Sequence, residues 1–433
     1  MQIVLLSGGS GKRLWPLSND VRSKQFIKIF NDGKGNKESM VQRMYREIRN
    51  VIPEARVTIA TGKSQVSAIQ NQLGEYVNIC VEPARRDTFP AIALACMYLK
   101  DVCEVSLNEA VVVCPVDPFV NSDYFETVKK IGEEVDKCSA NITLMGIKPT
   151  YPSEKYGYIV PEGDGNVKEF KEKPDLEGAK KLLEQGALWN GGMFGFKLGY
   201  MVDKAHELLD FADYQDLKNS YETATKISID YAVVEKEKSI KVISFDGEWM
   251  DVGTWKTLTM VMEDSSIGEA VMDDTCENTH ILNEMNVPIL AMGLKNVVIA
   301  ASPDGILVAD KDQSSYMKPY VDKIQGPVMF AEKSWGSYRV MDIEESSLTV
   351  KVTLLPGHEM NYHSHSRRDE IWTVIEGEGV AILDGKAREV DAGDTIMIPR
   401  GLKHTIKAKT LLKVMEVQVG NDIDVEDKEK FEL

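Results

Sequence analysis

The stretch Leu5-Leu6-Ser7-Gly8-Gly9-Ser10-Gly11-Lys12-Arg13-Leu14-Trp15-Pro16-Leu17-Ser18 decides the reading of the first half of the chain. It begins on an apolar run of strand length at residues 1–7 and breaks at once into glycines. Gly8, Gly9 and Gly11 let backbone N–H groups come close to an oxygen-rich ligand, so the loop predicts a concave anion site after a first strand. Two common phosphate loops do not fit the spacing. A P-loop ending at Gly11-Lys12 would need glycine where Leu6 stands, and a dinucleotide fingerprint starting at Gly9 would need glycine where Leu14 stands. Arg13 and Lys24 add two cations just beyond the loop, suited to charge that builds on a transferring phosphoryl group.

Working outward, strand-length apolar runs at residues 56–61, 110–115 and 142–147 alternate with helix-like stretches at 88–102 and 125–138, the second with Asp123 as its expected cap. This pattern predicts an α/β domain with a mostly parallel, Rossmann-like sheet over residues 1–258. The helical signal fades over 259–325, where residues 297–301, a Ser302-Pro303-Asp304-Gly305 turn and residues 306–309 read as a β-hairpin in a short β-rich linker. From 326 to 433, short strands separated by turns such as Asp384-Gly385 predict a β-sandwich or β-barrel, ending in an acidic peripheral tail from Asn421 onward.

The chain has 433 residues and a net charge of −17, with 27% charged and 43% hydrophobic residues. That composition excludes disorder as the main state, and the negative excess argues against nucleic acid or an anionic membrane as partner. No apolar run is long enough to span a bilayer, no targeting signal is legible, and the 6 cysteines show no CxxC, so a reduced cytoplasmic setting is expected.

A second cluster lies near the end. Of 6 histidines in the chain, His358, His363, His365 and His404 fall in the final quarter. His363 and His365 alternate with Ser364, so on a strand both imidazoles face one side, where Glu370 can return a carboxylate and His404 a further ligand from a later strand. Such a set suits Zn²⁺ or another divalent transition metal, Fe²⁺, Mn²⁺, Co²⁺ and Ni²⁺ included. His358 has no partner at ligand spacing and reads as structural.

The loop string, followed by Lys24-Gln25-Phe26, resembles the signature of sugar-1-phosphate nucleotidyltransferases, in particular mannose-1-phosphate guanylyltransferases. Further matching strings follow in order: Glu82-Pro83-Ala84-Arg85-Arg86-Asp87, Pro115-Val116-Asp117, Tyr156-Gly157-Tyr158, Phe170-Lys171-Glu172-Lys173-Pro174, Trp189-Asn190-Gly191-Gly192, Ser228-Ile229-Asp230-Tyr231-Ala232 and Trp249-Met250-Asp251-Val252-Gly253. The resemblance implies transfer of GMP from GTP to mannose-1-phosphate. In that assignment Gly8, Gly9, Gly11, Glu82 and Arg86 bind the nucleotide, Arg13 and Lys24 are catalytic, and Asp117 and Asp251 hold Mg²⁺. Gly157, Glu172, Lys173 and Asn190 bind the sugar phosphate. The chain departs from the usual pattern at Lys12, Ser23, Asp87, Pro118 and Gly191, and Asp87 keeps other nucleotides and hexoses open.

Gly357, five residues, His363-Ser364-His365, four residues, Glu370, six residues, Gly377 resembles the first cupin motif. Gly393, five residues, Pro399-Arg400-Gly401, two residues, His404 resembles the second, with Ala408 in place of the usual Asn. A nucleotidyltransferase followed by a cupin resembles the bifunctional mannose-1-phosphate guanylyltransferase/mannose-6-phosphate isomerases. That likeness implies that the barrel interconverts fructose-6-phosphate and mannose-6-phosphate; Arg368 is the remaining candidate for the catalytic charge, and a homo-oligomeric assembly is expected. Thr405 stands where the family usually has Arg, which leaves open a metal-free or non-catalytic binding or dimerisation module.

Overall fold

The computed structural model describes residues 1–8, 11–19, 21–324, 326–421, 423 and 427–432. Nine strands form the sheet of the first half, in the order Asn78–Glu82, Arg56–Gly62, Gln2–Ser7, Ala110–Pro115, Leu188–Lys197, Ile142–Ile147, Ile240–Phe245, Asn166–Lys171 and Tyr158–Glu162. All but Leu188–Lys197 and Asn166–Lys171 point the same way. Apolar side chains on both faces explain why the first strand reads as a continuous run: Val4 enters the core under helix Thr88–Asp101, while Ile3 and Leu5 enter the one under helices Met40–Val51 and Ser122–Asp136. Helix Thr88–Asp101 is apolar nearly all round and correspondingly buried.

Helix Ser122–Asp136 starts earlier than its apolar spacing suggests. Asn121 occupies the cap position and Asp123 lies in the first turn, so the expected cap is corrected; Asp123 there meets the positive end of the helix dipole.

Residues 259–325 are rich in β structure, but they carry a turn of helix at Lys318–Val321 and are more than a tether. Short parallel strands Ser266–Ile267, His280–Asn283 and Val297–Ser302 stack side by side, and the expected hairpin closes with Gly305–Asp310. This layer packs on the exit of the glycine loop. Gly305 packs against the Trp15 ring, where a Cβ would come within 2.5 Å of ring carbon, and Ser302 Oγ donates to Pro16 O at 2.7 Å. Buried Arg22 donates to both Glu284 oxygens at 2.7 and 2.9 Å, so the segment that leads to Lys24 is held from the second layer.

The last part folds as two facing sheets, one ordered Phe330–Lys333, Gly336–Ile343, Ser347–Leu354, Leu412–Gly420, Arg368–Glu376, Thr395–Ile398 and the other Lys386–Val390, Gly379–Leu383, His404–Ala408, His363–Ser364, Glu429–Lys430. The inward residues of Arg368–Glu376 run Arg368, Glu370, Trp372, Val374, and those of Leu412–Gly420 run Leu412, Val414, Glu416, Gln418. Paired antiparallel, the two strands bring their polar ends together, so one end of the barrel is apolar core and the other a buried polar chamber. The tail is corrected by this pairing: Glu429–Lys430 is a strand beside the histidines and Asp427 is buried, because the Asp427 carboxylate takes the N–H groups of Ser366 and Arg367. Among the described residues no helix is long and apolar enough to cross a membrane.

Candidate active sites

Strand register places the first site. Leu6 pairs with Pro115, Ser7 with Thr61 and Gly62 with Glu82, so Gly8, Glu82 and Asp117 all emerge at the carboxyl edge of the sheet, where open α/β sheets bind ligands. Gly9 lies outside the described residues; Gly11 opens a tight turn, Gly11–Leu14, on which Arg13 is exposed. Strand Trp249–Asp251 runs antiparallel to Pro118–Val120, and that pairing carries Asp251 to Asp117 across a long sequence gap.

Lys24 occupies the centre. Its Nζ lies 3.0 Å from Asp117 Oδ2 and 3.7 Å from Asp251 Oδ1, and it donates to Val252 O at 3.0 Å. Two half-exposed carboxylates aimed at one cation form a hard-oxygen donor set, which fits a Mg²⁺ carried in with a triphosphate. Beside them a cavity of about 220 Å³ is lined by Asp117, Asp251, Tyr156, Asn190, Gly192 and Trp249. Tyr156 lies against both Trp189 and Trp249, with ring centroids 4.7 and 5.6 Å away, giving one wall an apolar face that a sugar ring can stack on.

The residues expected to hold the sugar phosphate are brought together. Asn190 N–H donates to Gly157 O at 2.8 Å, and a Cβ on Gly157 would come within 2.4 Å of Glu172 Oε2, so a side chain there would displace that carboxylate. Lys173 Nζ pairs with Glu172 at 2.7 Å and shares with it a second cavity of about 590 Å³ that also includes Lys171, Lys181 and Tyr231. Glu82 and Arg86 sit further along the edge. Glu82 accepts from Tyr221 OH at 3.1 Å and is pushed up by burial, while Arg86 donates to the Glu222 carbonyl.

Asp230 belongs to this cluster and received no role from the sequence, although its motif was legible. It accepts from Asn190 Nδ2 at 2.8 Å, and burial, followed by the charge of Glu172, pushes it up to about 7. A raised acid favours the folded state while protonated, and that contribution is lost as pH rises through about 7. Asp230→Asn is therefore expected to raise the melting temperature of the ligand-free protein relative to wild type at pH 8 and much less at pH 5. Equal shifts at both pH values in a thermal melt would contradict it.

The second site is the polar chamber of the barrel. His363, His365 and His404 are buried, with ligand nitrogens within 4.8 Å of one another. Each ring donates its Nδ1 proton to a backbone carbonyl: His363 to Asn361 at 2.6 Å, His404 to Leu402 at 2.8 Å and His365 to Asp427. All three Nε2 lone pairs are thereby turned toward one point, the tautomer that metal ligands need. Among the described residues His404 Nε2 is buried with no hydrogen-bond partner, and burial above all pushes His363 down to about 2, so that ring stays neutral. Glu370 borders the set, 2.9 Å from His365 Nε2 and 3.4 Å from His404 Nε2. The donors fit a divalent transition metal.

Arg368 is committed inside this chamber: Nε donates to Glu370 at 3.0 Å and Nη2 reaches His365 Nε2 at 3.2 Å. Thr405 is buried and donates to Met360 O at 2.7 Å. Glu416, which sequence reasoning left without a role, faces Glu370 in the same chamber; burial, then the Glu370 charge, pushes it up to about 8. His358 lies outside the chamber, 3.4 Å from Glu75 of the first domain.

A candidate anion site at the carboxyl edge of an α/β sheet, joined to a barrel with three convergent histidines, is the layout of a nucleotidyl-transferring chain with an appended cupin. Comparison with known proteins agrees: the nucleotidyl transferase family matches residues 2–266 and the mannose-6-phosphate isomerase C-terminal family matches residues 328–433. A Vibrio cholerae serotype O1 chain, provisionally named a mannose-1-phosphate guanylyltransferase, is 30% identical, with 99% of each chain covered. The mannose-1-phosphate guanylyltransferase of Escherichia coli K12 is 27% identical over 99% of this chain and 97% of its own. A crystal structure from Thermus thermophilus, described as a mannose-1-phosphate geranyltransferase, has 27% identity and a TM-score of 0.61, covering 74% of this chain and 98% of that one. The chain belongs to the nucleotidyl transferase family, in the branch of mannose-1-phosphate guanylyltransferases that end in a mannose-6-phosphate isomerase-type domain.

Proposed function

We propose that this protein transfers GMP from GTP to mannose-1-phosphate, releasing pyrophosphate and GDP-mannose, and that its barrel interconverts fructose-6-phosphate and mannose-6-phosphate. The observation that carries the first activity is Lys24 held between Asp117 and Asp251, at the carboxyl edge and beside the aromatic-walled cavity. A phosphate oxygen of the sugar attacks the α-phosphorus, the bond from that phosphorus to the bridging oxygen breaks, and pyrophosphate departs with its electron pair. The attacking oxygen is already ionised, so the protein's work is placement and charge neutralisation. Gly8, Gly9 and Gly11 offer backbone N–H groups to the phosphates, with Glu82 and Arg86 on the nucleotide side. Arg13 and Lys24 meet the developing negative charge. Gly157, Glu172, Lys173 and Asn190 orient the sugar phosphate. Asp117 and Asp251 would hold a Mg²⁺, which would supply further charge neutralisation at the triphosphate.

In the barrel, His363, His365 and His404, with Glu370 beside them, would hold a divalent transition metal, Zn²⁺ being one candidate, which polarises sugar oxygens. The reaction moves a proton between neighbouring carbons of the open sugar, and Arg368 keeps Glu370 and His365 oriented for it. A second reading, a binding or dimerisation module without turnover, is favoured by Thr405, whose hydroxyl is turned onto Met360 O and brings no charge to the chamber. The enzyme is read as a homo-oligomer and, in keeping with 6 unbridged cysteines, as cytoplasmic. Pyrophosphate release measured over a panel of nucleoside triphosphates and hexose-1-phosphates tests the transfer. Highest kcat/KM for GTP with mannose-1-phosphate is expected; a clear preference for another pair would replace the substrate assignment.

A further inference from the structure

The described end of the chain runs antiparallel beside the histidine strand. Lys430 lies opposite His363 and Glu429 opposite Ser364, and Phe431 N–H donates to Tyr362 O at 2.9 Å. The contact continues past the paired residues, where Asp427 binds Ser366 and Arg367 through its carboxylate and His365 through its carbonyl. Lys403 Nζ sits 3.9 Å from the centre of the Phe431 ring and fastens the other end. Residues facing each other across antiparallel strands project to the same side. Continuing that register by one residue sets Lys428 opposite His365, on the same side as the His363 imidazole and the exposed Lys430 side chain.

The surroundings of Lys428 agree with that placement. It is half-buried, and the charges acting on it are those of Glu416, Glu370, Arg368 and Lys430, the first three being chamber residues. Among the described residues it makes no hydrogen bond or ion pair. The other basic side chain of the chamber, Arg368, is bound to Glu370 and His365 and lies 3.8 Å from Asp427. Thr405 is turned onto Met360 O. A half-buried ammonium that finds no partner among the described residues is costly unless an anion meets it.

We propose that Lys428, delivered by the C-terminal strand, is the cation that binds an anionic oxygen of a hexose 6-phosphate in the histidine chamber, the place that position 405 cannot fill. The assignment rests on reading the chamber as a hexose-phosphate site. Substrate binding then depends on the closing strand as well as on the barrel, and the strand serves metal and sugar together, because the same few residues orient His365 and present Lys428.

The test is calorimetric titration of mannose-6-phosphate into the metal-loaded full chain, for wild type, Lys428→Met and Lys428→Arg, with metal content and pyrophosphate release measured on each preparation. Lys428→Met is expected to keep its metal and its nucleotidyl transfer while binding mannose-6-phosphate at least tenfold more weakly; Lys428→Arg is expected to recover most of that loss. Wild-type affinity in Lys428→Met overturns the assignment. So does loss of metal in that variant, which would make Lys428 a support of the ligand set, and so does a metal-loaded wild type that does not bind mannose-6-phosphate. Isomerisation is scored separately on the same samples: a wild type that binds the sugar phosphate without turnover overturns the isomerase reading alone, and Lys428 is then decided by the affinities.

Discussion

Lys24→Ala lowers kcat for pyrophosphate release by roughly a hundredfold or more, a loss of about 3 kcal/mol of transition-state stabilisation, the size found for single preorganised charge donors. The expectation follows from where the ammonium is held. It lies 3.0 Å from Asp117 and 3.7 Å from Asp251, fixed by the Val252 carbonyl, on a segment gripped from behind by the Arg22–Glu284 pair. Its cost to folding is small, because Asp117 and Asp251 keep 44% and 49% of their side-chain surface exposed, and water can solvate them once the lysine is gone. Steady-state kinetics alongside a thermal melt checks both halves. A variant that melts like wild type and turns over within threefold of it would remove Lys24 from the chemistry.

The combined variant His363→Ala, His365→Ala loses its transition metal and its isomerisation together while pyrophosphate release stays at the wild-type level. Removing two of three convergent imidazoles leaves His404 and Glu370, too few donors for tight binding. The two sites share no residue, since one is built on the carboxyl edge of the nine-stranded sheet and the other inside the barrel. Metal analysis and both assays on one preparation decide it, and a chelator supplies an internal control. Chelation should lower the melting temperature of wild type and leave the double variant unmoved, because only a chain that binds metal in the folded state is stabilised by it. Metal content unchanged by the double substitution would place the ion elsewhere.

Much of this architecture was legible because the signals were local. A strand buried on both faces has to be apolar throughout, so residues 1–7 and 110–115 announced themselves, and the alternation His363-Ser364-His365 carried its own geometry. Contacts made over long sequence distances were not legible. Nothing in the string Trp249-Met250-Asp251 states that it pairs with Pro118–Val120, and the link from Asp251 to Asp117 came from resemblance alone. The acidic composition of the final residues suggested a solvated tail, because a count of charges does not reveal that the Asp427 carboxylate is met by two backbone N–H groups and a hydroxyl. Asp230 and Glu416 were overlooked for a related reason. Each is a carboxylate whose importance lies in a second carboxylate folded against it, Glu172 in one case and Glu370 in the other.

One chain is expected to house two separate chemistries. A split assay on a single metal-analysed preparation decides it, with GTP plus mannose-1-phosphate followed by pyrophosphate release and fructose-6-phosphate followed by mannose-6-phosphate formation. Both activities are expected, with the second lost on chelation of the transition metal and the first sustained by Mg²⁺. Nucleotidyl transfer without isomerisation, in protein whose barrel carries metal, would contradict the account and leave the barrel a binding module.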